Sequence, residues 1–221
     1  MKRVLITGTS SGIGLATAKE FLDQGYEVVG IDKEPQNIYN LWYTHYICDV
    51  RNKDELPDIG TFSIIINNAG TISELDAIDT NLCGYINIIE KYATRKTKDI
   101  VNVASISGHV GLDTMRYAAS QGGRLALTKH LAITLGQRYG TRVNSISPGA
   151  VLSGLEPELY QDTELLEAVA NESILKKWIQ PEEIAKWIYF VAVVNKSMTG
   201  QDILIDNGEV ANYNFISSGS R

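Results

Sequence analysis

Val4-Leu5-Ile6-Thr7-Gly8-Thr9-Ser10-Ser11-Gly12-Ile13-Gly14 is a short apolar run that stops at a glycine, crosses three small polar residues and resumes an apolar pattern at Leu15, Ala16 and Ala18. The order is strand, tight turn, helix. Glycines belong at Gly8, Gly12 and Gly14 because the backbone turns sharply there and then lets a pyrophosphate approach a helix N-terminus, where free N–H groups and the dipole favour an anion. Taken alone, three such glycines also describe a turn that holds no ligand. The context favours the ligand: a second apolar strand, Glu27 to Ile31, follows the helix and ends in Asp32, close to the spacing at which an acidic residue grips the adenosine ribose hydroxyls. The chain thus opens as a dinucleotide-binding unit.

At 221 residues, 44% apolar and 21% charged, the chain suffices for one well-buried core and is short for two domains. The expectation is a single α/β domain over residues 1–215, with a lid at about 150–180 and a flexible tail at 216–221. A formal charge of -6 and a pI near 5.1 argue against a nucleic-acid surface. Cys48 and Cys83 have no metal-ligand spacing and read as reduced thiols. The N-terminal apolar run breaks at Thr7, too early for a signal peptide or a membrane span, so a soluble cytoplasmic protein is expected.

Along the chain, strands alternate with helices, which favours a parallel sheet covered on both faces. Helices are expected at about Ser11–Gln24, Leu75–Thr94, Thr114–Tyr139, Glu164–Glu172 and Pro181–Val194. Strands are expected at His45–Ile47, Phe62–Asn67, Asp99–Ala104, Arg142–Ser147 and Asp202–Ile205, beyond the two already described. Gly122 and Gly123 inside the third of these helices cost about 1 kcal/mol each and predict close packing against a neighbour.

Over nearly its whole length the chain resembles the short-chain dehydrogenases/reductases. The pieces that carry the resemblance are Thr7-Gly8-Thr9-Ser10-Ser11-Gly12-Ile13-Gly14, Asp49, Asn67-Asn68-Ala69-Gly70, Asn81, Ser105, Tyr117, Pro148-Gly149 and Thr199-Gly200. The resemblance implies a doubly wound seven-stranded parallel sheet of order 3-2-1-4-5-6-7, with a nicotinamide cofactor across its carboxyl edge. It also implies a homotetramer or homodimer paired through the two long helices, and a small carbonyl or alcohol substrate. The implied cofactor contacts are Gly8, Ser10, Ser11, Gly12, Ile13, Gly14, Asp32, Asp49, Val50, Asn68, Ala69, Gly70, Tyr117, Gln121, Pro148, Gly149, Val151 and Ser153. A carboxylate at Asp32 accepts ribose hydroxyls and repels a 2′-phosphate, so NAD is favoured over NADP, with Lys33 as a partial offset. By the same resemblance Asp49 bonds the adenine amino group, Tyr117 is the general acid/base, Ser105 holds the substrate oxygen and Asn81 positions a water in a proton relay.

One departure falls at the chemistry. The family signature is Tyr-x-x-x-Lys, and this chain reads Tyr117-Ala118-Ala119-Ser120-Gln121. At about 5 Å and an effective dielectric of about 20, a lysine ammonium would favour the phenolate by about 3 kcal/mol. Gln121 has no such charge. Lys129 lies about 18 Å along the helix, and Arg124 shares nearly the same face two turns from Tyr117. The expectation is intact NAD binding with turnover weakened by about 10²- to 10⁴-fold. The alternative is a catalytically silent NAD-binding protein that senses cofactor or assists a partner.

Overall fold

In a computed structural model of the chain, which describes residues 2–154 and 162–212, the opening run forms an interior strand of a seven-stranded sheet. The strands are β1 (Arg3–Thr7), β2 (Glu27–Asp32), β3 (Tyr43–Ile47), β4 (Ile64–Asn67), β5 (Asp99–Val103), β6 (Arg142–Pro148) and β7 (Asp202–Ile205). All pairings are parallel, in the order β3-β2-β1-β4-β5-β6-β7. The helices are α1 (Gly12–Asp23), α2 (Gly84–Tyr92), α3 (Ser107–Val110), α4 (Met115–Tyr139), α5 (Thr163–Ala170) and α6 (Pro181–Tyr189).

The period-2 geometry of a strand sorts an entirely apolar run onto two faces. Val4 and Ile6 of β1 join Ala18 and Phe21 of α1 and Ile184 and Ile188 of α6 in one core. Leu5 between them joins Ile88 and Ile89 of α2 and Leu131 of α4 in the other. β1 pairs with β2 on one side and β4 on the other, so the connections leave in opposite directions there. A crevice opens at the carboxyl ends of the two strands, where ligands of such sheets bind.

Several boundaries differ from the sequence expectation. The helix expected at Leu75–Thr94 is helical only from Ala77 to Tyr92, and Asp79–Cys83 winds as a π turn. Gly84, just after that turn, lies so close to β3's following loop that a Cβ would meet Val50 Cγ2 at 2.6 Å. The last helix likewise ends at Tyr189 and passes into a π turn at Phe190–Val194. The single turn α3 was expected as loop; Gly111, at φ +71°, closes it in the left-handed conformation a helix cap requires. The close packing expected at Gly122 and Gly123 is present. A Cβ on Gly123 would meet Leu82 Cδ2 at 2.8 Å, and one on Gly108 of α3 would meet the Gln121 and Gly122 backbone at 2.8 and 2.9 Å. Residues 155–161 of the expected lid and the 216–221 tail lie outside the described residues.

Candidate active site

The crevice is a cleft of about 870 Å³. Its nucleotide end is built by the loop from β1 to α1. Thr7 Oγ1 accepts the Asn68 and Ala69 N–H groups, both at 3.0 Å, which ties the ends of β1 and β4 together. The Asn68 amide donates to the Thr7 carbonyl at 3.0 Å, so this side chain is committed to the loop while the residue lines the cleft. At the start of α1, Ser11 makes no side-chain cap bond and the first turn carries no acid, which leaves the helix N-terminus open to an anion. Asp32 Oδ2 accepts Ser10 N–H at 2.8 Å and Oδ1 accepts Glu34 N–H at 3.0 Å, so the carboxylate is fixed at the cleft edge.

Most of the residues expected at the cofactor do line this cleft: Gly8, Ser11, Gly12, Ile13, Asp32, Asp49, Val50, Asn68, Ala69, Gly70, Tyr117, Gln121, Pro148, Gly149, Val151 and Ser153. Ser10 and Gly14 do not. Ser10 is buried, its hydroxyl donates to Glu34 O at 3.1 Å and its carbonyl accepts Asn37 Nδ2 at 2.6 Å. Gly14 is buried behind the turn, where a Cβ would collide with the Gly8 carbonyl. Both shape the loop. Asp49 is already engaged by Arg51, whose Nη2 lies 2.7 Å from Oδ2 and whose Nη1 reaches Asp76 at 2.8 Å. The Arg51 bond, opposed by partial burial, holds the Asp49 carboxyl below its ordinary range.

The same cleft contains Asn81, Ser105, Tyr117 and Gln121. Ser105 Oγ accepts Ser107 N–H and donates to Ser107 Oγ, each at 3.2 Å. Ser107 Oγ donates in turn to Asp113 Oδ2 at 2.5 Å. Asp113 has φ +67°, in the left-handed region that Asp tolerates better than most residues. Asn81 reaches both neighbouring segments: its Oδ1 accepts Thr71 N–H at 2.8 Å and its Nδ2 donates to Thr71 O at 2.9 Å and Ser120 Oγ at 3.1 Å. Ser120 Oγ donates to the Tyr117 carbonyl at 2.7 Å, which couples Asn81 to the start of α4.

The residue that sequence reasoning passed over is Arg124. It lines the cleft, is 3% exposed, and donates from Nη1 to Gln121 Oε1 at 3.1 Å. Two turns of axial separation suggested that it was out of reach. A helical side chain leans toward the N-terminus and covers the turn before its own Cα, so a long guanidinium at position 124 ends beside residue 121. The i, i+4, i+7 spacing of Tyr117, Gln121 and Arg124 was the available signal. Asp113 had none, since its role depends on a loop conformation.

A doubly wound parallel sheet with a glycine turn at its switch point, and with serine, tyrosine and asparagine lining the same cleft, defines a dinucleotide-dependent oxidoreductase architecture. The sequence profile described as Enoyl-(Acyl carrier protein) reductase matches residues 8–209. The chain belongs to the short-chain dehydrogenase/reductase family. It is 30% identical to the 3-oxoacyl-(acyl-carrier-protein) reductase FabG of Thermotoga maritima, over 95% of this chain and 98% of that protein. A 4-hydroxyisoleucine dehydrogenase mutant complexed with NADH and succinate superposes with a TM-score of 0.88 at 28% identity, covering 96% of this chain and all (100%) of that one. ElxO with NADP bound superposes with a TM-score of 0.84 at 25% identity, covering 96% and 99%. Among the described residues no helix is long and apolar enough to cross a membrane, and no His, Cys, Asp and Glu cluster is placed to hold a metal ion.

Proposed function

We propose that this chain is an NAD-dependent oxidoreductase that interconverts a small carbonyl compound and the corresponding alcohol. The observation that carries the reading is that one cleft joins the open N-terminus of α1 and the Asp32 carboxylate to Ser105, Tyr117 and Gln121. The residues fit a dinucleotide: Gly8 and Gly12 line the cleft without side chains at the uncapped N-terminus of α1, whose first turn carries no acid. Bound there, the cofactor supplies or accepts the hydride. Tyr117 holds the proton given to, or taken from, the substrate oxygen. Ser105, whose oxygen is fixed by Ser107 N–H, turns its own O–H from Ser107 Oγ to that oxygen and sets its position. Asp32 favours the two free ribose hydroxyls of NAD, a preference supported by its charge and by the NADH-bound relative; the NADP-bound relative marks the alternative.

The test is paired binding and turnover. Fluorescence titration is expected to give at least about tenfold tighter binding of NADH than NADPH, about 1.4 kcal/mol. A panel of ketones and secondary alcohols across pH 6 to 10 is expected to show turnover that Tyr117→Phe lowers by about 10²- to 10⁴-fold with NADH affinity unchanged. NADH binding without turnover of any panel member, in both forms, would replace this reading with that of a silent dinucleotide-binding protein.

A further inference from the structure

We propose that Arg124 supplies the positive charge of the catalytic centre, acting on Tyr117 across Gln121, so that Tyr-x-x-x-Gln in this chain is a working arrangement with its cation moved one turn along α4. The inference rests on Tyr117 being the acid/base. Arg124 is accordingly a positioning residue.

A guanidinium removed from water is costly unless its charge and donors are satisfied, and a carboxylate is the usual partner. Among the described residues none pairs with Arg124. Its donors go instead to four oxygens, each from a different wall of the site. Nε donates to Asn81 O at 2.6 Å, at the π turn; Nη1 donates to Val103 O at 2.7 Å, at the end of β5, and to Gln121 Oε1 at 3.1 Å; Nη2 donates to Ala69 O at 3.2 Å, in the loop after β4. The Tyr85 ring lies under the guanidinium, 4.0 Å from centroid to Cζ. Gly70 leaves the space this needs, since a Cβ there would stand 3.2 Å from Nη2. The charge is thus uncancelled by any carboxylate and held rigidly at the cleft wall.

Two consequences reach Tyr117. The guanidinium donates to Gln121 Oε1, which fixes that end of the amide and polarises the other. The charge also acts on the Tyr117 phenol through space. The other phenol facing Arg124, Tyr85, is pushed well above the ordinary range by burial and donates to Val103 O at 2.9 Å, so it stays protonated. Among the described residues, the cleft lining outside the nucleotide-binding loops also carries Asp113, Glu172 and Glu209, whose negative charge would hold the phenol proton on. Arg51 is committed to Asp49 and Asp76 at the nucleotide end, and Arg116, beside Tyr117, is exposed against Leu75 O and Glu74. Lys33 follows Asp32 at the nucleotide end, so among the described cations that line the cleft Arg124 is the one placed to favour the phenolate.

The test reads Tyr117 directly, by the pH titration of its ring in protein labelled with 13C at tyrosine Cζ, with Tyr117→Phe assigning the resonance. Arg124→Met is expected to raise the Tyr117 pKa by about one unit or more and to move the corresponding limb of the turnover profile to higher pH by the same amount, with NADH affinity kept. Arg124→Lys is expected to retain most of the wild-type value, and Gln121→Lys added to Arg124→Met to restore it. A folded Arg124→Met protein with a lowered melting temperature but an unmoved Tyr117 titration would overturn the proposal and leave Arg124 a purely structural tie. If Arg124→Met fails to fold, Arg124→Gln, which keeps an amide donor without the charge, is read by the same criterion. The titration does not depend on turnover: a shifted Tyr117 in a protein inactive on every substrate supports the role of Arg124 and sinks the oxidoreductase reading alone.

Discussion

Asp99 begins β5 with its carboxylate buried, Oδ1 lying 2.6 Å from Arg142 Nη2. Burial outweighs that neighbour and pushes its pKa up to about 6. Below about pH 3 the carboxyl is neutral in both the folded and unfolded chain. Between there and pH 6 the unfolded chain releases the proton that the folded one retains, so stability falls as pH rises through that window. Urea melts from pH 4 to 7 are expected to show the decline in wild type and a flattened profile in Asp99→Asn. At the same scale, Asp32 was legible from its position at the end of an apolar strand. Its bonds to Ser10 and Glu34 were not, because they depend on how two loops meet. Gln121 was legible as a departure, while its neighbour's reach was hidden by reasoning along the helix axis alone.

Local signals of the elements were strong wherever one segment determines its own shape. The strand of 4–7 followed by glycines and an apolar helix could be read directly, as could Gly25, left-handed at φ +78° just beyond the end of α1; Gly140 closes α4 in the same conformation at φ +70°. The π turn at Asp79–Cys83 was not legible, since it answers to contacts across the cleft: Asn81 bonds to Thr71 and Ser120, and its carbonyl to Arg124. The turn α3 was missed for a similar reason, being too short to show a period. It packs on α4 through Gly108, and His109 ties it to Asp202 of β7 at 2.7 Å. Gly108→Ala is expected to lower stability by about 1–3 kcal/mol by driving α3 from α4. Because Ser107 and its contact to Ser105 ride on α3, turnover in the same protein is expected to fall more than NADH affinity, which paired melts and kinetics would check.

For the whole molecule, the sheet order and the place of the cleft follow from alternating strand and helix signals together with the handedness of parallel crossovers. Assembly was a matter of resemblance. We propose pairing through the long helices, where α4 leaves Met115 and Ile133 85% and 59% exposed. Sedimentation is expected to give a dimer or tetramer, and Ile133→Glu to shift it toward the monomer; a wild-type monomer at micromolar concentration would remove the proposal. The lone cation that ties four walls of the site together bears on how such a sequence can change. Lysine at position 121 would stand beside Arg124, two positive charges within one buried turn of helix, so the single replacement that restores the family signature is expected to be harmful here. The two positions are expected to be epistatic, each tolerating a cation while the other is neutral. A lineage moving between the two arrangements would pass through a form that carries neither charge and works slowly, or through one that carries both and is poorly stable.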